Sequence, residues 1–471
     1  MYKTILFAAL VSAIASASNR AVAEDLMQMY QQAHGSDPTL AIADSTRNAI
    51  GQNVPEARAA LLPQIAASLA YLHDDNVSRS QSPYLVNDPN NPASVGNYVL
   101  LPFTGANNTH SRPAQATVSQ SIFNWGNIER LRQAREQAAS SDSDYDSAAQ
   151  DLMVRTSTAY FGVLTAEDQL KFAQLNEKSL LKQLDQAEQR YEVGLSAITD
   201  VHVARAQHDA AVAQVITAQN SVDTARESLV QITGKEFGDL KKLREQLPLE
   251  KPQPDQVQAW VDLANAHSPQ IASRQHSYDA ADHFVGAQRA GHYPTLSASL
   301  VRTDTPSWGS TQSMVPGLED SGQFHTNGIV GDTTIGVTLS VPIFTGGLVT
   351  AQTRQAAFQR DTAQDNLELT RRTVFANTRN SYRAVIAGIS EVEATRQAVV
   401  SAQSGLDATQ AGFEVGTKTI LDVLTSQSTL LNAQSAYSQA RHQFVLSGLQ
   451  LKDAAGVLEV KDIEAVNALL E

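Results

Sequence analysis

The sequence predicts a mainly α-helical protein with a smaller β component, built from two copies of one structural unit. Three observations lead to this fold class. Landmark motifs recur in the same order in both halves of the 471-residue chain. Short segments alternate apolar and polar residues with the period of a strand, and long proline-free stretches carry apolar residues at the spacing of packed helices.

The tandem repeat rests on three landmarks that keep their order and approximate spacing. The matching pairs are 58–69 with 289–300, 122–123 with 343–344, and 191–194 with 413–416. A repeat this long indicates two structural units rather than the three domains that chain length alone suggests. We predict the first repeat over 24–245 and the second over 270–460.

Strand signals in each half are short. The predicted strand segments are 64–72, 116–122, 295–302 and 334–341. The segments 116–122 and 334–341 have one apolar and one polar face. The intervening stretches 73–112 and 303–332 are rich in Asn, Ser, Gly, Asp and Pro, which is typical of loops. Each half therefore predicts helix, strand, long loop, strand, long helix, turn and helix.

The longest predicted helices cover 125–192 and 347–413, where proline is absent and glycine is sparse. A 68-residue helix would be about 100 Å long. Its apolar seam advances in steps of three and four, as in helices packed nearly parallel. The seam positions are Tyr145, Ala148, Leu152, Arg155, Ala159, Val163, Ala166, Leu170, Ala173, Glu177, Leu180, Leu184, Ala187 and Tyr191.

Residues 1–23 have the features of a secretory signal. Lys3 supplies the charged start, Ile5–Ala17 is mostly apolar, and Ala21-Val22-Ala23 is an A-x-A cleavage site. No later segment has about 20 consecutive apolar residues, so no transmembrane helix is predicted. The formal net charge of −14 argues against nucleic-acid binding, and the absence of Cys excludes disulfides and thiolate sites.

Catalytic and metal-binding motifs are missing from the sequence, which predicts a protein that is not an enzyme and has no cofactor. Asp142, Asp144 and Asp146 resemble the start of a calcium loop, but Ser147 and Met153 occupy its required Gly and Glu positions. The zinc-protease, nucleophile-elbow and Walker A patterns are absent. The eleven histidines are scattered without the spacing of metal ligands.

Four amphipathic strands per chain are too few to close a membrane barrel, since the smallest outer-membrane barrels have eight. Open strand edges in lipid would leave backbone groups unpaired at several kcal/mol each. If the strands lie in a membrane, several chains must share one barrel, and rotational symmetry then places their helices in a ring. The predicted object is a hollow cylinder that stands on a membrane.

Six segments of the sequence carry recognisable motifs: DLMQ at 25–28, LLPQ at 61–64, QSIF at 120–123, VGLSAITDV at 193–201, QAVVSAQS at 397–404 and VGTKTILDVL at 415–424. In this order they resemble the outer-membrane efflux proteins of Gram-negative bacteria, a family of channel-tunnels. The resemblance covers about 24 to 465.

The resemblance implies a homotrimer with a twelve-stranded transmembrane β-barrel, four strands per chain, continued by a long periplasmic α-helical barrel. It further implies an equatorial region at 235–270, a C-terminal helix at 460–471, and extracellular loops at 73–112 and 303–332. The implied function is a passive outer-membrane exit duct for multidrug efflux, type I protein secretion or both. The implied partners are outer-membrane lipid, a periplasmic adaptor (membrane fusion) protein and an inner-membrane pump of RND, MFS or ABC type.

The turns at 193–197 and 415–419 end the long helices, and Asp200 and Asp422 fall in the first turns of the helices that follow. A carboxylate there complements the helix dipole, which is a sufficient structural explanation. The resemblance implies a second role, in which Asp200, Asp422 and the position of Thr425 form the periplasmic gate. Three copies of one carboxylate around a pore would attract cations.

The family's gate latch maps onto Thr199, Phe413 and Lys418, and this sequence departs from it. Phe413 replaces a tyrosine, and Lys418 replaces an arginine and cannot form a planar bidentate pair. Thr425 stands where a second gate aspartate is found. These departures predict a closed state that is less tightly latched and less cation-selective than in close relatives.

The turn residues also resemble the family's adaptor-docking tips, although a plain helix end would explain the two glycines equally well. The docking residues implied are Val193, Gly194, Leu195, Val415, Gly416 and Thr417. Trp125, Phe123 and Phe344, at strand–helix junctions, suit either an interfacial aromatic belt or ordinary packing.

A second class of function, a structural or adhesive coiled-coil surface protein, would explain the long helices. It does not explain the half-apolar strands and the duplicated turn.

Overall fold

The computed structural model describes residues 23–85, 90–91, 93, 96–314 and 323–471. The predicted signal over 1–23 lies outside the described residues, apart from Ala23. The described chain divides into two compact units, each built from more than one segment of the chain. One unit is helical and contains the described residues up to Ile50 with Ala139–Ser277 and Ala363–Glu471, and the other contains the sheet, in the described residues of Gly51–Ala138 and Tyr278–Thr362.

The elements follow one another in a repeated order. Helices α1 (Leu26–Ser36), α2 (Pro38–Gly51) and α3 (Asn53–Ala59) precede strands β1 (Gln64–Leu69), β2 (Leu72–Leu85), β3 (Tyr98–Ser111) and β4 (Ala114–Phe123), then helices α4 (Trp125–Glu192) and α5 (Ile198–Thr233). The second half has α6 (Val257–His267), α7 (Pro269–Arg289), β5 (Thr295–Met314), β6 (Gln323–Ser340), α8 (Leu348–Glu414), α9 (Ile420–Ala454) and α10 (Val460–Asn467).

The strands form one antiparallel sheet. β1 and β2 pair with β4 and β3, which both pair with β5, and β5 pairs with β6. The register is the same on both sides of the breaks at 70–71 and 112–113. Across the first break, the Ala70 N–H donates to the Pro113 carbonyl at 3.0 Å. The six segments therefore lie in four continuous lines, in agreement with four strands per chain.

The prediction of loops over most of 73–112 and 303–332 is wrong. β2 and β3 pair without interruption from Leu72 with Ser111 to Leu85 with Tyr98, and β5 and β6 pair from Thr295 with Ser340 to Gln312 with Gln323. Polar composition suggested loops because polar side chains rarely build a buried sheet. Here no described residue in the outer part of the sheet is buried, so the ladder satisfies the backbone while the Asn, Ser and Thr side chains keep access to solvent.

The two faces of the inner part of the sheet differ in polarity. Ile65, Val118, Leu300 and Ile335 lie directly opposite one another in a row across the four lines. The neighbouring row on the opposite face contains Gln64, Ser119, Ser299 and Gly336. Ile65 and Ile335 are 77% and 78% exposed in the single chain. The sheet is amphipathic, as the alternation predicts, and its apolar face has no covering layer within the described chain.

The helical unit has its main core where α1, α4, α5, α9 and α10 meet. Helix α1 begins with a capping box, in which the Asp25 carboxylate accepts from the Gln28 N–H at 2.9 Å and the Gln28 side chain accepts from the Asp25 N–H at 3.1 Å. The segment 235–247 also packs into this core. It forms bridges with the N-terminal Glu24 through Leu240 and with the C-terminal Leu470 through Leu243.

Helix α4 covers the 68 residues over which the sequence predicts it, and half of its predicted seam is buried. The buried seam residues are Leu152, Val163, Ala166, Ala173, Leu180, Leu184 and Ala187. The seam omits Tyr160 and Phe161, which are both fully buried. They belong to the core because α1, α10 and 235–247 add a second contact side to α4 at this level, which periodicity cannot reveal. Burial also raises the pKa of Tyr160, whose hydroxyl donates to the Lys241 carbonyl at 2.8 Å.

Within the described residues, no helix is both long enough and apolar enough to cross a membrane.

Substitution of Phe161 tests the importance of this core. Phe161→Ala should destabilise the helical unit by about 3–5 kcal/mol, because it removes a fully buried aromatic ring and leaves a cavity. The matched control is Leu175→Ala on the same helix, where the side chain is 55% exposed. Thermal unfolding of the purified variants measures the difference, and equal midpoints for both variants would contradict the assignment of the core.

Candidate gate and docking turns

The first turn lies between the end of α4 at Glu192 and the start of α5 at Ile198. Gly194 has φ of +75°, a left-handed conformation that disfavours other residues. The Gly194 N–H donates to the Tyr191 carbonyl at 2.9 Å, and the Leu195 N–H donates to the Arg190 carbonyl at 2.8 Å. These bonds satisfy carbonyls at the helix end and reverse the chain. Val193 and Leu195 are left exposed.

The second turn repeats this geometry between α8 and α9. Gly416 has φ of +77°, and its N–H donates to the Phe413 carbonyl at 3.1 Å. The Thr417 N–H donates to the Gly412 carbonyl at 2.9 Å. Val415 is exposed, like Val193 in the first turn. The duplicated motif has therefore kept its backbone conformation as well as its sequence.

Asp422 belongs to a capping box at the start of α9. Its carboxylate accepts from the Thr419 N–H at 2.8 Å and from the Thr419 hydroxyl at 2.9 Å. The Asp422 N–H in turn donates to the Thr419 hydroxyl oxygen at 3.2 Å. The hydrogen bonds from Thr419, with a smaller contribution from the charge of Lys418, hold the pKa of Asp422 below its usual value. The structural role predicted for this carboxylate at the helix start is therefore present.

Asp200 occupies the same position in the first half, but its surroundings differ. The residue that caps α5 is Ala197, which has no side-chain oxygen to reach the helix N–H groups. Asp200 lies in the first turn of α5, where it complements the helix dipole, and its N–H donates to the Ala197 carbonyl at 3.1 Å. The two aspartates therefore share a position, but only Asp422 forms a capping box.

Phe413 contacts Arg190, a residue that the sequence analysis did not single out. The Arg190 guanidinium carbon lies 4.5 Å from the Phe413 ring centroid, a cation–π distance between the ends of α4 and α8. Phe413 also packs against the buried Ile420 and Leu424 of α9. The only sequence signal for Arg190 is a basic residue in the last turn of a helix, which is too common to indicate an aromatic partner.

The remaining predicted gate and latch residues lie on the surface. Thr199, Lys418 and Thr425 are exposed, and the Thr425 hydroxyl donates to the Leu421 carbonyl at 2.8 Å. In the described part of the single chain, no hydrogen bond or ion pair joins Thr199 or Asp200 to Phe413 or Lys418. The latch contacts implied by the resemblance are thus not present within one chain.

Comparison with known proteins adds the family context. A family model for outer membrane efflux proteins matches residues 29–235 and 260–457. The first match lies within the first predicted repeat, and the second covers most of the second repeat and begins ten residues before it. The outer membrane protein TolC of Escherichia coli is 35% identical over 458 residues, covering 96% of this chain and 86% of TolC. The alkaline protease secretion protein AprF of Pseudomonas aeruginosa is 30% identical over 452 residues, covering 95% of this chain and 88% of AprF.

Solved structures show the same fold at lower sequence identity. The crystal structure of the outer membrane protein VceC from Vibrio cholerae superimposes with a TM-score of 0.69 and 19% identity, covering 92% of this chain and 96% of VceC.

The fold and the paired turns define an outer-membrane channel protein, mainly helical with one sheet and an internal repeat. The chain belongs to the outer membrane efflux protein family. Its function is that of an outer-membrane exit duct, and its predicted localisation, in the outer membrane with the helical part in the periplasm, is confirmed. No comparison supports the coiled-coil surface protein, and the family and fold are those of channel proteins rather than enzymes.

Removal of the Thr419 cap tests the local design of the second turn. Thr419→Val should speed amide exchange across 415–424 by roughly threefold to tenfold, because the N-cap oxygen is lost. Thr419→Ser keeps that oxygen and should exchange like the wild type. Hydrogen–deuterium exchange with mass spectrometry at matched pH measures the ratio of the amide exchange rates of Thr419→Val and Thr419→Ser across 415–424.

The pH dependence of that ratio follows from the lowered pKa of Asp422. A carboxylate whose pKa is lowered in the folded state stabilises that state fully at pH values above its unfolded pKa of 3.8. This stabilisation is lost as the pH falls through the lower pKa of the folded state. The ratio should therefore be constant from about pH 8 to pH 5 and shrink in more acidic solution. A ratio of exchange rates that changes between about pH 8 and pH 5 would contradict the capping role of the ionised carboxylate.

Proposed function

We propose that the protein acts as a homotrimeric, passive exit duct whose turns dock a periplasmic adaptor and whose aspartates form its gate. The observation that carries the trimer is the sheet. Among the described residues, β6 pairs only with β5, and β1 and β2 pair only with β4 and β3. Both edges of the sheet are therefore free to pair with another copy.

Lipid makes such pairing necessary. A free strand edge in the hydrocarbon region leaves N–H and C=O groups without partners, at several kcal/mol each. The exposed apolar row at Ile65, Leu300 and Ile335 matches a lipid-facing surface, and the polar row on the opposite face matches a water-filled lumen. Three copies of four strand lines would close a twelve-stranded barrel without any free edge. The distal ends of the β2–β3 and β5–β6 hairpins would then be extracellular.

The docking role of the turns is supported by their exposed apolar side chains. Val193, Leu195 and Val415 are 68%, 76% and 75% exposed. Exposed apolar residues held by rigid turns are suited to burial against a partner. We assign docking to these residues together with Gly194, Gly416 and Thr417. The partner proposed is a periplasmic adaptor (membrane fusion) protein, which connects the duct to an inner-membrane pump.

The gate role rests on position and symmetry. Threefold symmetry would place three copies of Asp200 and Asp422 around one axis, where carboxylates attract cations. Thr425, one turn after Asp422, would add a neutral ring. The latch would then join neighbouring copies through Thr199, Phe413 and Lys418, which is consistent with the absence of these contacts within the single described chain.

The inner-membrane pump, and not the duct, selects the molecules that are exported. The relatives named above include the alkaline protease secretion protein AprF, and the family model that matches is that of outer membrane efflux proteins. We therefore propose export of small toxic compounds, secreted proteins or both, with a pump of RND, MFS or ABC type.

The docking role predicts a charge-specific loss of export. Gly194→Asp and Gly416→Asp should each abolish drug resistance in a deletion strain, because a carboxylate would oppose burial of the neighbouring apolar side chains. A side chain at either position meets open space, so assembly should be preserved. The matched controls are Gly194→Asn and Gly416→Asn, which tolerate the same left-handed conformation without charge.

Minimum inhibitory concentrations measure export, and heat-modifiable mobility of outer-membrane extracts measures assembly. Normal resistance with both aspartate variants would rule out docking at these turns. Equal loss with the asparagine controls would show that size or backbone strain, and not burial at a partner, causes the defect.

The gate role predicts changes in ion selectivity. Asp422→Asn should lower the cation-to-anion permeability ratio by roughly twofold or more, because each trimer loses three charges at one constriction. Thr425→Asp should raise the ratio, and Thr425→Asn is its neutral control. Reversal potentials in planar bilayers under a KCl gradient measure the ratio, and an unchanged ratio in both charge variants would place these residues outside the conduction path.

A further inference from the structure

Two histidines that are far apart in the sequence meet on the sheet. His73 of β2 lies directly opposite His110 of β3, and the centroids of their rings are 4.4 Å apart in a stacked arrangement. His110 lies opposite Trp308 of β5, with ring centroids 5.8 Å apart. The row is on the same face as Ile65, since the register continues across the breaks. The face therefore changes from apolar to imidazole-rich along the strands.

From this geometry we propose that His73 and His110 form a binding site for a divalent transition-metal ion such as Cu²⁺ or Zn²⁺. Imidazole nitrogen is a preferred ligand for both ions. Two nitrogens bound to one tetrahedral ion at 2.0–2.1 Å lie roughly 3.4 Å apart. The stacked ring centroids lie 4.4 Å apart, and a bound ion lies in the plane of each imidazole that binds it. The His73 side chain, which is exposed, would therefore rotate out of the stack to share an ion with His110.

The second observation is the orientation of His110. Its Nδ1 lies 3.0 Å from the Tyr71 hydroxyl. When Nδ1–H donates to that hydroxyl oxygen, the lone pair on Nε2 is free to bind a metal ion. Histidine ligands in metal sites commonly have their second nitrogen held in this way. The Tyr71 hydroxyl can accept from Nδ1–H, and it would hold His110 in the tautomer that binds a metal ion.

The charges near the pair allow a cation to bind. Asp75 is the next residue after His73 on the same face of β2, and it lies opposite Asn108. Arg112 lies on the other side, and its guanidinium carbon is 4.8 Å from the Trp308 ring centroid. A bound ion would bridge β2 and β3, with water completing its coordination. The site does not depend on the export function proposed above.

Trp308 makes the site measurable, since Cu²⁺ quenches a nearby indole. The test uses the full-length protein in detergent with a tag that contains no histidine. Titration with Cu²⁺ should remove up to about one third of the emission in a saturable step, because Trp308 is one of three tryptophans. Zn²⁺ should compete with Cu²⁺ and restore that emission without quenching.

Variants separate this site from other histidines. His73→Asn and His110→Asn should each weaken the saturable step at least tenfold, and Tyr71→Phe by about tenfold. His325→Asn, on β6 of the same sheet, is the matched control and should bind like the wild type. Trp308→Phe should lose the optical signal but keep the Cu²⁺ spectrum in electron paramagnetic resonance.

The outcome is decisive in either direction. Saturable quenching that is unchanged in both His73→Asn and His110→Asn, or no saturable step in the wild type, would overturn the proposal. Trimer mobility and drug resistance, measured on the same variants, should be unchanged. Loss of drug resistance with normal quenching would bear on the proposed duct function and not on the metal site. Loss of quenching in the histidine variants with normal drug resistance is the result expected for a metal site that is separate from the export function.

Discussion

An amphipathic antiparallel sheet with two unpaired edges is the constraint on which the rest of this molecule depends. Within the described chain, backbone hydrogen bonds join neighbouring strands, but the outward edges of β1, β2 and β6 have no partner strand. The apolar face of the sheet is open to solvent in the single chain. In lipid neither edge can remain unpaired, so the chain requires further copies of itself. In the proposed trimer, closure by symmetry would bring single residues together as rings, including the aspartates of the proposed gate.

The two halves show how a duplicated unit can diverge while its backbone stays the same. Both long helices end at a left-handed glycine and leave a valine exposed. The following helices begin differently, because Thr419 caps α9 and Ala197 cannot cap α5. The Asp422 carboxylate is thereby held by hydrogen bonds from Thr419, whereas Asp200 has no such partner at its cap. Equivalent positions in the repeat thus differ in their hydrogen bonding.

One cation–π contact connects the two halves of the chain at the ends of their equivalent long helices. Arg190 contacts Phe413 between α4 and α8, where the family resemblance implied a tyrosine hydroxyl in a latch. A phenyl ring cannot donate a hydrogen bond, but its face attracts the guanidinium group. The replacement of tyrosine by phenylalanine therefore removes one type of contact and leaves another, which ties the end of α4 to the end of α8.

The errors of the sequence analysis have identifiable causes. Residues 73–112 and 303–332 were expected to be loops because strand prediction relies on apolar alternation, which is weak where both faces are solvated. Tyr160 and Phe161 were missed because a single seam describes one packing side, and α4 has two at that level. Arg190 was missed because its partner is more than 200 residues away in the sequence.

The sequence by itself determined the features that depend on local periodicity and local conformation. Heptad-like spacing predicted the long helices, and the glycines at 194 and 416 predicted where they end. The repeated motifs predicted the two halves of the chain. The tertiary structure decided what depends on partners distant in the chain. It paired the polar strands, buried Tyr160, and placed His73 opposite His110, because strand register brings together residues that no spacing rule connects.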